Sequence, residues 1–317
     1  MTSAAPRPRP SPVAGRPWRR FAHTLDVKSS PYLYIAPFFL LFGVFGAFPL
    51  LYTAYVSMTD WNLLESTRQW VGAENYVALI QDGYFWNALF NTVSIWLLST
   101  IPQLLVALVV AHMLNRSLRA RTFFRMGVLL PNVTSIVAVT IIFAQLFGRD
   151  FGAVNWALGL FGFGPVDWQA GTLSSHIAIS LIVIWRWTGY NALIYLAAMQ
   201  AVPSHLYEAA TIDGAGQWTQ FWRITIPMLR PTIIFTGVVS TIGGFQIIAE
   251  PLLFQAGTGN PTGGSDRQFQ TVGLYLYEQG FGLYEFGYAS AVAWTLCLII
   301  VVMALVNFSI TRRIKSG

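Results

Sequence analysis

The sequence predicts an all-α integral membrane protein with six transmembrane helices, and its composition and apolar runs carry that prediction. Hydrophobic residues make up 55% of the chain and charged residues only 10%, with a mean hydropathy of +0.53. Soluble domains carry about 25% charged residues, so this is the composition of an integral membrane protein. Six apolar runs of about twenty residues each are long enough to cross a bilayer as helices.

The charge distribution and the cysteine content exclude several kinds of partner and bond. The net charge is +6, but only Lys28 and Lys315 among the basic residues are lysines, and the basic residues cluster beside apolar runs. They are typical of topology signals rather than of a nucleic-acid surface, so we expect no nucleic-acid partner. The single cysteine, Cys297, excludes an intramolecular disulfide and a metal cluster built from thiolates.

The elements follow one another from the N-terminus in a simple order. Residues 1–30 are rich in proline and arginine, cannot bury a core and predict a disordered basic cytoplasmic tail. The membrane domain is expected over residues 31–317. The first span is too long for a signal-peptide core and lacks a convincing cleavage site, so we expect it to stay as an anchor. The predicted spans are 35–58, 93–114, 128–147, 177–199, 232–254 and 289–310.

The basic residues fall unevenly on the two sides of these six spans. Most lie in the N-terminal tail, between spans two and three, between spans four and five, and after span six. The opposite connections, 59–92, 148–176 and 255–288, carry most of the carboxylates and several tryptophans. By the positive-inside rule, both termini and the connection at 203–231 are predicted to be cytoplasmic, in a multi-pass protein of the cell membrane.

The connection between spans four and five is the most informative stretch of the chain. It is a polar, helix-competent segment over about 203–231, with Tyr-Glu-Ala-Ala-Thr-Ile-Asp-Gly-Ala at 207–215 and Ile-Thr-Ile-Pro at 224–227. Ser204 can cap a short helix, and Gly214 can take the left-handed conformation that ends it. The segment therefore predicts a helix, a sharp turn and a second helix outside the membrane. We call residues 203–231 the knuckle.

The knuckle resembles the coupling loop in permease subunits of binding-protein-dependent ABC importers, especially sugar importers. Phe123-Phe124-Arg125, Gln270-Thr271-Val272 and the stretch 286–291 are similar to the same family. The resemblance is nearest to the maltose-type first permease, and in overall look to permeases for cellobiose, lactose or chitobiose. This chain departs from the maltose-type subunit in lacking two extra N-terminal spans and a large outer domain, so contacts made by those parts are not carried over.

The resemblance implies the type I importer permease fold and a set of partners. These are a second homologous permease, a dimer of ATPase subunits, an extracytoplasmic sugar-binding protein and the sugar itself. ATP and Mg²⁺ would be bound by the ATPase, and this chain would hold no cofactor. The knuckle would fit a groove of the ATPase. The residues expected to couple to it are Glu208, Ala209, Ala210, Asp213, Gly214 and Ala215.

The sequence contains no motif for catalysis or nucleotide binding. The phosphate-binding pattern Gly-x-x-x-x-Gly-Lys-Ser/Thr is absent from it. The four histidines lie at separate predicted sites, without a His-Glu-x-x-His helix or a Gly-x-Ser-x-Gly turn. We therefore expect a transport subunit with no catalytic and no metal-binding residues.

Polar groups inside two spans mark a candidate substrate path. Charges and amides are costly in a membrane, and they usually pair or line a pathway. Aromatic faces beside hydrogen-bonding groups suit a sugar ring, and Gly243, Gly244 and Pro251 would loosen span five. In the alternative, Arg186 and Glu250 only neutralise each other and the tryptophans only pack. The candidates are Trp185, Arg186, Trp187, Tyr190 and Asn191 in span four, and Gln246 and Glu250 in span five.

Together these features predict a permease that forms half of the translocation path of an ATP-driven importer for di- or oligosaccharides. One alternative is a self-contained secondary transporter or channel, which would need an inverted repeat or a relay of carboxylates. Another is a membrane enzyme, which would need a nucleophile and a base at suitable spacing. Which sugar is carried, which ATPase is the partner, and whether this subunit holds a substrate site stay open at this level.

Overall fold

The computed structural model describes residues 17–65, 68–116, 119–255 and 262–313. The chain divides into two compact units, Met1–Tyr55 and Val56–Gly317. Within the described ranges the fold is helical apart from one antiparallel hairpin of short strands, β1 (Thr59–Trp61) and β2 (Arg68–Trp70). This is the all-α architecture that the sequence predicts.

The first unit contains helix α1 (Pro17–Phe42), a π-helical turn (Gly43–Ala47) and most of α2 (Phe48–Val56). The apolar stretch Ser30–Val56 is long enough to cross a membrane and covers most of the first predicted span. The backbone is helical from Pro17 onward, which differs from the disorder predicted up to residue 30. Proline suits the first helical position because no hydrogen-bond donor is needed there. The rest of the predicted tail, 1–16, lies outside the described residues.

The second unit holds the remaining membrane helices and the short helices that connect them. The single helices of this unit that are long and apolar enough to span are α4 (Gly83–Asn115), α8 (Thr172–Gln200), the run Gln217–Phe245, and the part Phe286–Ser309 of α14 (Phe286–Arg313). The run Gln217–Phe245 consists of α10 (Gln217–Gln220), a π-helical turn at Phe221–Thr225, and α11 (Ile226–Phe245). In chain order the helices are α3 (Glu74–Gln81), α4 (Gly83–Asn115), α5 (Arg121–Val133), α6 (Ile136–Leu146), α7 (Ala153–Leu160), α8 (Thr172–Gln200), α9 (Ser204–Ile212), α10 (Gln217–Gln220), α11 (Ile226–Phe245), α12 (Ala249–Phe254), α13 (Val272–Tyr277) and α14 (Phe286–Arg313).

The third span is a bent pair of helices, and the prediction of one continuous helix over 128–147 is wrong. Helices α5 and α6 meet at 88°. Between them Thr134 and Ser135 are extended, with ψ of 145° and 126°. The Thr134 hydroxyl donates to the Leu130 carbonyl, and Pro131 has no N–H to continue the helical ladder. With this pair counted as one span, the described residues contain up to six spans.

The fifth predicted span, 232–254, is interrupted, as the sequence predicts from its glycine pair and Pro251. Helix α11 ends at Phe245 and α12 begins at Ala249. Ile248 leaves the helical conformation altogether, with φ of −131° and ψ of −47°. Gly243 and Gly244 directly precede the interruption, as the sequence predicts for a loosened helix. We call residues 246–248 the break.

The core of the second unit is built on the contact between α4 and α8, the most extensive helix pair in the described structure. Ala107 and Ala111 of α4 and Ala192 of α8 are fully buried there and let the two backbones approach closely. Small residues have this role in membranes because lipid tails are as apolar as leucine, so close packing must drive the association. Further along, Ile95 and Ile182 fill the contact.

The third predicted outer connection folds back into the protein instead of forming an open loop. Helix α13 is largely buried, and the Asp82 carboxylate accepts hydrogen bonds from the hydroxyls of Tyr275 and Tyr288. Burial alone would raise the pKa of Asp82, but these bonds and two backbone N–H groups at the start of α4 lower that pKa below its ordinary value. Arg267 binds Glu278 through two hydrogen bonds of 2.6 and 2.8 Å. Residues 256–261 of this connection lie outside the described ranges.

A glycine determines how closely α5 approaches α8. A Cβ atom on Gly189 of α8 would overlap the backbone carbonyl group of Val128 on α5. Gly127, the neighbour of Val128 in the same helix, has open space where its Cβ would lie. The two glycines therefore differ in packing although both are helical.

Gly189→Ala should destabilise the protein, because there is no room for a methyl group between the two helix backbones. We expect an overpacking cost of about 1–3 kcal/mol, measured as a lower melting temperature and a lower yield of folded protein in detergent. Gly127→Ala is the matched control and should equal or slightly exceed wild type, since alanine favours a helix. Equal melting temperatures for the two variants would contradict the close contact between α5 and α8.

Candidate functional site

A cavity of about 450 Å³ lies between α8, the break in span five and the middle of α4. Helix α8 contributes Arg186, Trp187, Tyr190 and Asn191, and the chain from Gln246 to Glu250 lines the opposite wall. We call this space the polar cavity. It places six predicted path residues together, namely Arg186, Trp187, Tyr190, Asn191, Gln246 and Glu250.

Trp185 is the predicted path residue that does not line the polar cavity. Its ring packs against Phe143 of α6, with ring centroids 5.4 Å apart. Helical periodicity explains the difference, because Trp185 and Gly189 are four residues apart and share the face of α8 that meets α5 and α6. Arg186 and Tyr190, also four apart, share the neighbouring face that lines the cavity. The sequence alone did not show that Trp185 and Trp187 lie on different faces of α8.

Arg186 and Glu250 form an ion pair across the cavity wall. Arg186 Nη1 donates to Glu250 Oε1 at 2.9 Å, and the side chains are 12% and 4% exposed. The contact joins α8 to α12 on the far side of the break. The residues therefore pair with each other and also line the cavity, and their place on a substrate path stays a prediction.

Neutral polar groups make up the rest of the hydrogen-bonding surface. Gln103 of α4 is buried, and its Nε2 donates to the Ser240 hydroxyl at 3.3 Å. Asn191 donates to the Trp187 carbonyl at 3.3 Å, while the Gln246 side chain is exposed. Gln103 and Ser240 were missed by sequence reasoning. An amide within an apolar span is the signal that could have identified Gln103.

Two aromatic rings complete the wall formed by α8. Trp187 and Tyr190 lie with ring centroids 5.9 Å apart and planes at 88°. This edge-to-face arrangement is a favourable one for aromatic pairs. The Trp187 ring thus offers an apolar face beside the Tyr190 hydroxyl and the amides of Asn191 and Gln246.

Residues of the third outer connection, Thr271 and Gly273, contact the break and stabilise it. The Thr271 hydroxyl donates to the Ile247 carbonyl at 2.7 Å, which satisfies a backbone oxygen freed by the interrupted helix. Gly273 lies against Ile247 and Ile248, where a Cβ would come within 2.9 Å of the Ile247 oxygen. Non-helical backbone at membrane depth is tolerated where protein satisfies it or where it lines a cavity.

The knuckle forms the predicted helix, turn and helix. Gly214 has a φ of +77°. The Ala215 N–H donates to the Ala210 carbonyl at 2.8 Å and the Gly214 N–H to the Thr211 carbonyl at 3.0 Å. These two bonds are the Schellman motif that ends a helix at a left-handed glycine. The role predicted for Ser204 is wrong: Pro203 is the N-cap of α9, and no side chain caps it.

Side-chain bonds fix the first helix and the turn of the knuckle to its second helical part, which begins the run Gln217–Phe245. Gln220 Nε2 donates to the Ala215 carbonyl at 2.9 Å and to the Thr211 hydroxyl at 3.0 Å. The hydroxyls of Tyr207 and Thr225 lie 3.0 Å apart. The turn is therefore rigidly attached to the run Gln217–Phe245.

The outer face of the knuckle is exposed. Glu208, Ala209, Asp213 and Gly214 are exposed, while Ala210 and Ala215 are partly buried. Ile212 is 87% exposed and Trp218 71% exposed. These two apolar side chains were not among the predicted coupling residues, although their position beside the predicted turn was the available signal. In the ranges that the structure describes, no three His, Cys, Asp or Glu side chains gather to hold a metal ion.

Comparison with known proteins decides the family. Residues 103–316, which include the knuckle, the break and the cavity wall of α8, match the family described as binding-protein-dependent transport system inner membrane component. The chain belongs to this family. The permease is thus a multi-pass membrane subunit of an ABC transport system and not an enzyme, as the sequence predicts.

Individual relatives cover nearly the whole permease. The lactose transport system permease protein of Rhizobium radiobacter is 37% identical over 290 residues, covering 90% of this chain and 94% of the relative. The arabinooligosaccharides transport system permease protein of Bacillus subtilis is 34% identical over 311 residues, covering 97% and 96%. A chain of a solved bacterial alginate ABC transporter superposes on this protein with a TM-score of 0.77 at 23% sequence identity. The match covers 93% of this chain and 98% of the transporter chain, which confirms the fold.

The ion pair predicts a specific pattern of stabilities. Arg186→Met and Glu250→Leu should each lower the stability of the permease by about 3–5 kcal/mol, because each leaves one buried charge without its partner. The double variant should recover most of that loss. Arg149→Met is the control, since the Arg149–Asp167 pair is 3.5 Å long and largely exposed and should contribute only about 0–1 kcal/mol. Additive losses in the double variant, measured by melting in detergent, would contradict a coupled pair.

Proposed function

We propose that the permease forms half of the translocation path of an ATP-driven importer for sugars of the di- or oligosaccharide class. A second homologous permease would supply the other half. An extracytoplasmic binding protein would deliver the sugar, and a separate ATPase dimer would bind ATP and Mg²⁺. The observation that carries the proposal is the polar cavity at the break in span five.

The chemistry of the polar cavity suits a sugar. A sugar ring has apolar C–H faces and a rim of hydroxyls, which match the Trp187 and Tyr190 rings beside the amides of Asn191 and Gln246. The cavity volume of about 450 Å³ lies in the range of roughly 300–1,000 Å³ typical of small-molecule sites. The names of the relatives, lactose and arabinooligosaccharide permeases, point to the same class of cargo.

A self-contained proton-driven carrier is less well supported by the same site. Such a carrier needs carboxylates that can take up and release protons along the path. Among the described residues lining the polar cavity, Glu250 is the one carboxylate, and it is bound to Arg186. The energy for transport is therefore better assigned to a partner that hydrolyses ATP.

The knuckle supplies a route for that energy. Its exposed face, from Glu208 to Gly214, would fit a groove of the ATPase, and the exposed Ile212 and Trp218 would add apolar contact. Closure of the ATPase dimer would then move the knuckle as a rigid body and shift the attached span. The positive-inside distribution of basic residues supports a cytoplasmic location for the knuckle and for both termini.

Gly214→Val should disconnect ATP hydrolysis from transport while the protein still inserts. The positive φ of Gly214 costs an ordinary residue about 1 kcal/mol or more, and no atom lies within 4 Å of the added Cβ. The effect is thus one of turn conformation and not of steric clash. Gly216→Ala is the matched control, because Gly216 has an ordinary φ of −66° and equally open surroundings.

The measurement is sugar uptake and sugar-stimulated ATPase activity of the reconstituted importer. We expect uptake to fall several-fold in Gly214→Val and to stay at the wild-type level in Gly216→Ala. Wild-type uptake and stimulation in Gly214→Val would refute the coupling role of this turn.

Asn191→Leu and Gln246→Leu should reduce uptake without reducing assembly. Each would remove hydrogen bonds to a bound sugar worth about 0.5–1.5 kcal/mol apiece, and neither residue is part of the knuckle. Gln81→Leu, an exposed amide of α3 outside the cavity, is the control. Uptake, yield of the complex and basal ATPase activity are measured together. Unchanged uptake, or equal losses of assembly and uptake, would favour a purely structural cavity.

A further inference from the structure

We propose, on the basis of the sugar-import function above, that the Arg186–Glu250 pair makes the polar cavity selective for uncharged saccharides. Glu250 is then the residue that excludes acidic ones. Among the described residues that line the cavity, Arg186 and Glu250 are the only charged side chains. Their charges cancel at a separation of 2.9 Å.

The positive charge of Arg186 is already engaged by Glu250. Its Nη1 donates to Glu250 at 2.9 Å, and its Nε is buried without a hydrogen-bond partner in the described structure. A sugar carboxylate that approached the guanidinium would compete with Glu250 for this one positive charge. The Glu250 side chain is 4% exposed and has little access to water that would stabilise its charge if Arg186 were shared.

The carboxylate of an acidic sugar would also be repelled by the carboxylate of Glu250. Charge interactions are stronger in a cavity walled by protein than in water, because the effective dielectric is lower. A sugar carboxylate placed against Arg186 would lie close to the Glu250 carboxylate as well, because Glu250 Oε1 is 2.9 Å from Arg186 Nη1. A neutral sugar avoids this repulsion.

The other polar side chains that line the cavity are uncharged and can form hydrogen bonds with sugar hydroxyls. Gln103, Ser240, Asn191, Gln246 and Tyr190 supply donors and acceptors around the cavity. Neutral amides and hydroxyls can both donate to and accept from a sugar hydroxyl. The cavity therefore offers a full set of partners to an uncharged saccharide and none that is specific for an anion.

The decisive variant is Glu250→Gln, which keeps an oxygen that can accept from Arg186 and removes only the negative charge. The probes are cellobiose and cellobiouronic acid, which differ only in that one C6 hydroxymethyl group is a carboxylate. Equilibrium binding of both is measured on the purified complex of the permeases and the ATPase, without binding protein. Wild type should prefer cellobiose, and Glu250→Gln should shift the preference toward cellobiouronate by about tenfold or more, the effect of one charged hydrogen bond.

Two further variants separate the charge effect from a folding defect. Glu278→Gln removes the carboxylate of another ion pair, Arg267–Glu278, which lies outside the cavity, and it should leave the preference unchanged. Gln246→Arg adds a positive charge to the cavity while the Arg186–Glu250 pair stays intact. It should shift the preference in the same direction as Glu250→Gln, and it decides the question if Glu250→Gln does not fold.

The proposal is overturned if wild type shows no preference for cellobiose, including by binding neither probe, or if folded Glu250→Gln and Gln246→Arg both keep the wild-type preference. Failure of this proposal can be told from failure of the function. An importer that takes up neutral sugars but shows no shift in its variants would lose only the role of Glu250. Absence of uptake of any sugar by the wild-type importer would remove the proposed cargo class.

Discussion

The break in span five imposes the constraint on which the rest of the structure depends. A helix that stops inside a membrane leaves backbone groups that no water in the lipid core can satisfy. Here the Gln246 N–H returns to the Gly243 carbonyl at 3.2 Å, the Ile247 carbonyl accepts from Thr271, and the Ile248 carbonyl accepts from Leu252 at 3.0 Å. The outer connection must therefore fold back into the protein to supply Thr271. The polar cavity lies between this repaired break and α8.

The same span connects the cavity to the knuckle. The run Gln217–Phe245 is one continuous 29-residue helix, roughly 44 Å long at 1.5 Å per residue. Gln220 binds the Schellman turn at one end of this run, and the break begins at the other. A rigid displacement of the knuckle would therefore reach the cavity wall through one helical run, whose irregular part is the π-helical turn at Phe221–Thr225. This geometry is compatible with the proposed coupling to an ATPase.

The sequence predicted those features that depend on local patterns. The turn at Gly214 follows from a glycine at the end of a helix-competent segment, and the family follows from the fixed spacing around it. The meeting of Arg186 and Glu250 could be anticipated because buried charges in membranes need partners. The coupling role of Glu208 and its neighbours stays a prediction, as does the substrate role of the cavity residues.

Features that depend on three-dimensional packing were beyond the sequence signal. The apolar run 128–147 continues across Thr134, so hydropathy could not detect the bend between α5 and α6. Trp185 is as aromatic as Trp187, and only the position of Gly189 against Val128 shows which face of α8 meets α5. Gln103 itself carried a signal, an amide within an apolar span, but its bond to Ser240 joins spans distant in sequence and could not be predicted.

Water access to the polar cavity is the most direct test of the claim that the break in span five lines the translocation path. In a Cys297→Ser background, which removes the single native cysteine, Gln246→Cys and Trp185→Cys are each treated with a small membrane-impermeant thiosulfonate reagent in membrane vesicles opened to both faces. Gln246→Cys should react rapidly, should be protected by the transported sugar, and should change its rate when the ATPase is trapped with nucleotide. Trp185→Cys, on the face toward α6, should react slowly under all conditions. Equal and slow labelling at both positions would contradict a path along the break.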